Sequence, residues 1–213
     1  MESAILFLEA PIAASSEKLS ITDLVLKGWY IYIPLLIMSV ITIYIFVERW
    51  LTVAKANKEE SNFMTNIKQY INQGKLDSAK NLCATTNTPV ARMIGKGIAR
   101  IGKPLEDIKS AVENSGKLEI SNLEKNTSIL AIIACIAPMF GFLGTVTGMI
   151  RTFHNISISN KIDISTIAGG IYEKMVTSAS GLIVGIIAYV LYTLLTTMID
   201  RTINKMEITA IDF

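Results

Sequence analysis

One histidine and two cysteines are the only imidazole and thiol groups in this 213-residue chain. Cys83 and Cys135 fall in different regions with no metal-ligand spacing, and Cys135 sits inside an apolar run where a disulfide is not expected. Both read as small apolar packing residues, and no metal site is expected. The sequence also lacks a P-loop, a Gly-rich dinucleotide fingerprint and a nucleophile elbow, so neither an enzyme nor a cofactor is expected. It lacks the basic tract of a nucleic-acid binder, and its net charge is only +2. The short apolar run Ala4 to Leu8 is flanked by Glu2 and Glu9 rather than by a basic start, which argues against a cleaved signal peptide. Residues 1–27 read instead as a flexible or interfacial segment.

Charge itself is what three stretches lack. Residues 28–47, 126–150 and 175–199 contain no Asp, Glu, Lys or Arg over 20, 25 and 25 positions. A helix rises about 1.5 Å per residue and the hydrocarbon core is about 30 Å thick, so each run is long enough to span it. The overall 51% hydrophobic content barely exceeds that of a soluble domain, about 45–50%; the distribution carries the inference. The sequence therefore predicts an all-α integral membrane protein with three transmembrane helices, their long helices extending into a helical cytoplasmic domain.

The predicted organisation is an N-terminal periplasmic or interfacial segment (1–27), a first span (28–48), a cytoplasmic helical domain (49–126) and a second span (127–150). A periplasmic loop (151–165), a third span (166–199) and a cytoplasmic tail (200–213) complete it. Trp29, Tyr30 and Tyr32 stand at one end of the first span and Trp50 at the other, where amphipathic rings favour the headgroup level. Pro34 is expected near the start of that helix, where its missing N–H costs least. In the polar stretch, helices are expected at about 57–73, 75–86, 90–101 and 105–125. Gly74 suits a helix end, and Pro89 and Pro104 suit helix starts. Only Gly116 and Pro138 stand out as breakers between 105 and 150, so the last of these helices can run on into the second span. Nine Lys and Arg flank the spans on the side of residues 49–68, 107–126 and the tail, against Lys18, Lys27, Arg151 and Lys161 on the other. The positive-inside rule then places the large insertion and the C-terminus in the cytoplasm.

Ala134, Ala137, Pro138, Gly141, Gly144, Thr145, Gly148 and Thr152 recur at steps of three or four along the second span. Such a stripe allows close approach to another helix or lines a narrow lumen. Gly144 and Gly148 form one GxxxG pair, Gly181 and Gly185 another. The third span carries a polar stripe: Glu173, Thr177 and Ser180, with Lys174, Ser178, Gly181 and Gly185 on the adjoining row. Apart from Glu48, the last residue of the first span, Glu173 is the only carboxylate within a span. A charge at membrane depth is costly and usually faces a cavity or a partner; the alternative is an interfacial Glu173 paired with Lys174. Hydroxyls in spans often bond back to their own helix, but Thr145 and Ser178 lie on small-residue faces, where a hydroxyl can hold water or a carboxyl. His154, just past the second span, reads as an ordinary interface residue.

The stretch Ala137-Pro138-Met139-Phe140-Gly141-Phe142-Leu143-Gly144-Thr145-Val146-Thr147-Gly148-Met149-Ile150 resembles the second-span signature of the MotA/TolQ/ExbB proton-channel family. Ile167 to Ala188, with Gly170-Ile171-Tyr172-Glu173 and Ser180-Gly181-Leu182, resembles its third span. Gly74 to Ala79 and Thr88 to Arg92 look like its cytoplasmic helices, and Gly28 to Trp50 like its first span. The three-span plan is most similar to ExbB, with TolQ second.

The resemblance implies a homo-pentamer in the bacterial inner membrane, surrounding the single spans of an ExbD-like dimer whose aspartate carries the proton. It implies a motor that uses the proton motive force to drive TonB-dependent outer-membrane transport through a TonB-like protein. Two hydroxyls line such a pore: Thr145 matches the first position, and Ser178, with Thr177 just before it, the second. Glu173 matches the family's third-span glutamate. A TolQ-like or gliding-type motor and a passive scaffold for a single-span partner are the alternatives. The orientation predicts that a cysteine at position 160 reacts with an impermeant reagent in intact spheroplasts while one at position 72 does not; the reverse labelling pattern would overturn it.

Overall fold

A computed structural model of the chain describes residues 29–57, 62–159 and 164–213. The expected N-terminal segment, Gly28, and residues 160–163 of the expected loop lie outside the described residues. Among the described residues there are seven helices and no strand: α1 (Trp29–Ala56), α2 (Phe63–Asn72), α3 (Leu76–Thr86), α4 (Pro89–Ile98), α5 (Leu105–Glu124), α6 (Thr127–Ser159) and α7 (Ile164–Asp212). Ile31–Ala56, Leu105–Ile158 and Ile167–Asp212 are long and apolar enough to cross a membrane. The chain is an all-α membrane protein.

The membrane helices outrun the bilayer. At 1.5 Å per residue α1, α6 and α7 are about 42, 50 and 74 Å long, against about 30 Å of hydrocarbon. Their excess lengths hold the polar half together. Val53 of α1 and Leu195, Ile199 and Met206 of α7 share one core with Phe63, Ile67, Cys83, Ile94, Val112 and Leu123 of the short helices. Residues 200–213, expected as a tail, are therefore helix through Asp212. Thr202, Met206 and Thr209 are buried at steps of three and four, and the Phe213 ring lies over Gly97. That spacing is the signal the sequence reading passed over.

Three further expectations are corrected. The 151–165 loop is helical through Ser159 and again from Ile164. No glycine or proline interrupts 151–159, and Thr152 packs against Gly170 of α7. Pro34 lies inside α1 rather than at its start. The α5–α6 helix is not continuous: it breaks at Lys125–Asn126, where Asn126 takes φ 64°, while Gly116 and Pro138 both stay within helices. Asn tolerates the left-handed region better than other non-glycine residues, and the apolar demand changes abruptly there, from a half-solvated helix to a span.

The local signals explain the short helices. The α2 C-terminus closes as a Schellman turn, with Gly74 at φ 69°, its N–H donating to Ile71 O at 3.0 Å and that of Lys75 to Tyr70 O at 2.9 Å. Thr88 caps α4 by accepting from the Ala91 N–H at 3.3 Å, with Pro89 in the first turn. Arg92 is the polar clasp. Its Nε and Nη2 donate to both Glu119 oxygens at 2.8 and 2.5 Å, and its Nη1 donates to Asn87 O and Oδ1 at 2.9 and 3.0 Å. This joins the end of α3, α4 and α5. Arg49, buried in the C-terminal half of α1, donates to Asn122 O at 3.2 Å, a cation against the carbonyl end of α5.

Burial pushes the Cys83 thiol up to about 11, so at pH 8 only about one molecule in a thousand carries the reactive thiolate. Cys83 is buried and Cys135 exposed. A thiol reagent admitted to the membrane phase should label Cys135 in the folded protein and reach Cys83 only after denaturation. Equal labelling rates at the two positions would contradict this core.

Candidate functional site

Small residues let α6 and α7 approach in antiparallel fashion until backbones touch. A Cβ added at Gly181 would meet Ala137 O and the Gly141 Cα at 2.8 Å, and one at Gly141 would meet Ser178 O at 2.9 Å. Along the same seam Gly185 lies against Pro138, Gly144 against Thr177 and Ile31, Gly148 against Lys174, and Gly170 against Thr152. Pro138 leaves the Ala134 carbonyl without its usual N–H partner; Gly185 comes close to that oxygen, with an added Cβ 3.2 Å away. Such approaches suit weak Cα–H···O contacts. The glycines of the stripe are thus engaged within the chain, against its own third span.

The first long helix covers one side of this hairpin. Ile31 and Leu35 of α1 pack with Ile133 and Ala137 of α6 and Ala188 of α7. Thr177 lies on the covered side at 2% exposure. Its Oγ1 donates to Glu173 O at 3.1 Å and shares a hydrogen bond with the Tyr32 hydroxyl at 3.3 Å. Tyr32 was read only as an interfacial ring; nothing in its spacing relates it to position 177.

The opposite side of the hairpin is open. Ser178, one residue on and about 100° round the helix, lines a groove of about 400 Å³ with Pro138, Met139, Phe142 and Leu182. Pro138 also lines the adjoining groove of about 370 Å³ that includes Cys135, Gly185, Ile186 and Tyr189. Thr145 is one turn from Phe142 on the same face and donates to Phe142 O at 2.6 Å. With that proton committed, its lone pairs remain to accept from a ligand. The pairing of Gly144 with Thr177 and of Gly141 with Ser178 puts Thr145 and Ser178 at one level.

Glu173 and Lys174 form an ion pair, Nζ to Oε1 at 2.6 Å, with the side chains 19% and 13% exposed. Large apolar side chains crowd the outer surface of all three long helices, among them Leu36, Tyr44, Met139, Phe142, Ile186 and Tyr189. A surface this apolar belongs against lipid or protein.

Comparison with known proteins places these features. Residues 85–208 match the MotA/TolQ/ExbB proton channel family. The chain is similar to a biopolymer transport ExbB homologue of Methanothermobacter thermautotrophicus, 31% identical over 63% of this chain and 47% of that protein. It is also similar to a biopolymer transport ExbB-like protein of Synechocystis, 25% identical over 83% of this chain and 70% of the relative. A biopolymer transport protein ExbB of Neisseria meningitidis is 25% identical over 81% of this chain and 83% of that one. The match thus spans about half the length of the first of these relatives and more of the other two.

The seam makes an unequal demand on its glycines. Gly181→Ala must push two backbones apart and should lower stability in detergent by about 1–3 kcal/mol. Gly169→Ala, where an added Cβ meets nothing within 4 Å, should leave it unchanged. Thermal unfolding of the two variants side by side checks this; equal midpoints would refute the backbone contact.

Proposed function

The chain belongs to the MotA/TolQ/ExbB proton channel family, and we propose that it forms the channel of an inner-membrane motor that uses the proton motive force to energise TonB-dependent outer-membrane transport. In this reading five copies surround the single spans of an ExbD-like dimer, with lipid outside. The N-terminus lies in the periplasm; the helical domain 49–126 and the end of α7 lie in the cytoplasm. The partner passes force to a TonB-like protein.

The observation that carries the reading is the division of hydroxyls between the two sides of the α6–α7 hairpin. Thr177 is sealed under α1 by Tyr32, whereas Ser178 opens onto an apolar groove with Thr145 at its level. This supports Ser178 over Thr177 for the second pore position. The groove at Ser178 is otherwise lined by Pro138, Met139, Phe142 and Leu182, which suits a partner helix bearing one ionisable group. A lone carboxylate in such surroundings is costly to keep charged. Hydroxyls that both donate and accept can serve its neutral and ionised forms in turn. One charge crossing 100 mV releases about 2.3 kcal/mol, enough to bias the partner's position.

Thr145→Val keeps the side-chain shape and removes the hydroxyl. It should abolish siderophore or vitamin uptake while the partner still co-purifies, and Ser178→Ala should do the same. Thr177→Val should instead cost about 1 kcal/mol of stability and leave uptake largely in place. If Thr145→Val and Ser178→Ala both retain normal uptake, the hydroxyl path is wrong and the chain is better read as a passive scaffold.

A further inference from the structure

We propose that Lys174 is a positioning residue whose stem pins α7 to α6 one turn from the Thr145–Ser178 level, with Glu173 serving as its fixed counter-ion rather than as a member of the proton path. The inference rests on the hydroxyl reading above and assigns the remaining ionisable groups of the span a different task.

Between Ile164 and Ile199 the only charged residues are Glu173 and Lys174. Neighbours i and i+1 on a helix normally point apart, yet these side chains meet at 2.6 Å and are largely withdrawn from solvent. The lysine is drawn there by the facing helix. A Cβ added at Gly148 would stand 2.2–2.3 Å from Lys174 Cγ, Cδ and Cε, so the stem occupies the space a side chain at 148 would take. Gly148 is the seat of the lysine.

A proton carrier must spend part of each cycle neutral. Protonating Glu173 would strand the Lys174 ammonium against the α6 wall, where an unpaired cation is costly. The placement agrees. Glu173 lies one turn before Thr177, whose hydroxyl bonds back to the Glu173 carbonyl and to Tyr32 of α1, and neither member of the pair lines the groove at Ser178. Among the described residues, the other charged or titratable side chains near this level in sequence are Tyr172 on α7, Tyr32 on α1, and Arg151 and His154 beyond Gly148 on α6.

The test is a rescue in the full complex, reading uptake and partner co-purification together. Glu173→Gln and Lys174→Met each leave one buried charge unpaired and should lower uptake by about tenfold or more. Lys174→Arg keeps the cation and should retain uptake. The double variant Glu173→Gln/Lys174→Met removes both charges and should recover uptake to within about threefold of the parent. A double variant that fails to assemble, or that assembles and stays as inactive as Glu173→Gln, overturns the proposal, the latter because Glu173 then carries the proton itself. Failure of the hydroxyl reading is separable, since Thr145→Val leaves the pair untouched and reports on that path alone.

Discussion

At the crossing of Gly141 and Gly181 two helix backbones meet with no side chain between them, and the arrangement of the membrane half follows from that contact. Lipid supplies no hydrophobic drive to bring two apolar helices together, so association must come from close packing and short polar contacts. Small residues at every third or fourth position of α6 meet small residues of α7 in antiparallel register. That register is set by backbone shape rather than by charge. It puts Thr145 level with Ser178, and Gly148 under Lys174. A register shifted by one turn would leave the lysine stem without a seat and Pro138 without Gly185.

The same helix that makes this contact also builds the polar half. α7 is one unbroken rod of 49 residues, whose first turns meet Thr152 and whose last turns are buried with Ile94 and Val112. A tilt imposed on the rod in the membrane is therefore delivered to the short helices without a joint. The joint is elsewhere, at Lys125–Asn126 between α5 and α6, beside the buried Arg49. The two routes from membrane to head thus differ in kind: one stiff, the other broken by a single left-handed residue and clasped by an arginine.

Much of this was legible in the sequence because the signals are local. Charge-free runs long enough to span a bilayer mark the three spans, and Gly74, Thr88-Pro89 and Pro104 punctuate the short helices close to their observed ends. What escaped was non-local. Asn126 was invisible as a breaker because asparagine takes the left-handed region only where tertiary packing asks for it. The tail escaped because Thr202, Met206 and Thr209 form a weak stripe whose meaning depends on a core built from helices a hundred residues away. At the site, both hydroxyl candidates at 177 and 178 were in view. Spacing could not show that one of them is covered, since the residue that covers Thr177, Tyr32, is 145 residues distant.

That last separation also explains why one hairpin can carry two polar systems without confusing them. Adjacent residues on a helix are about 100° apart, so Thr177 and Ser178 look to different sides of the seam. α1 covers one side and ties its hydroxyl inward, Thr177 bonding to Tyr32. The uncovered side keeps Thr145 and Ser178 available, in surroundings apolar enough that any charged group brought there must interact with them. A covering helix, rather than the chemistry of the side chains, thus distinguishes a structural hydroxyl from one that can work.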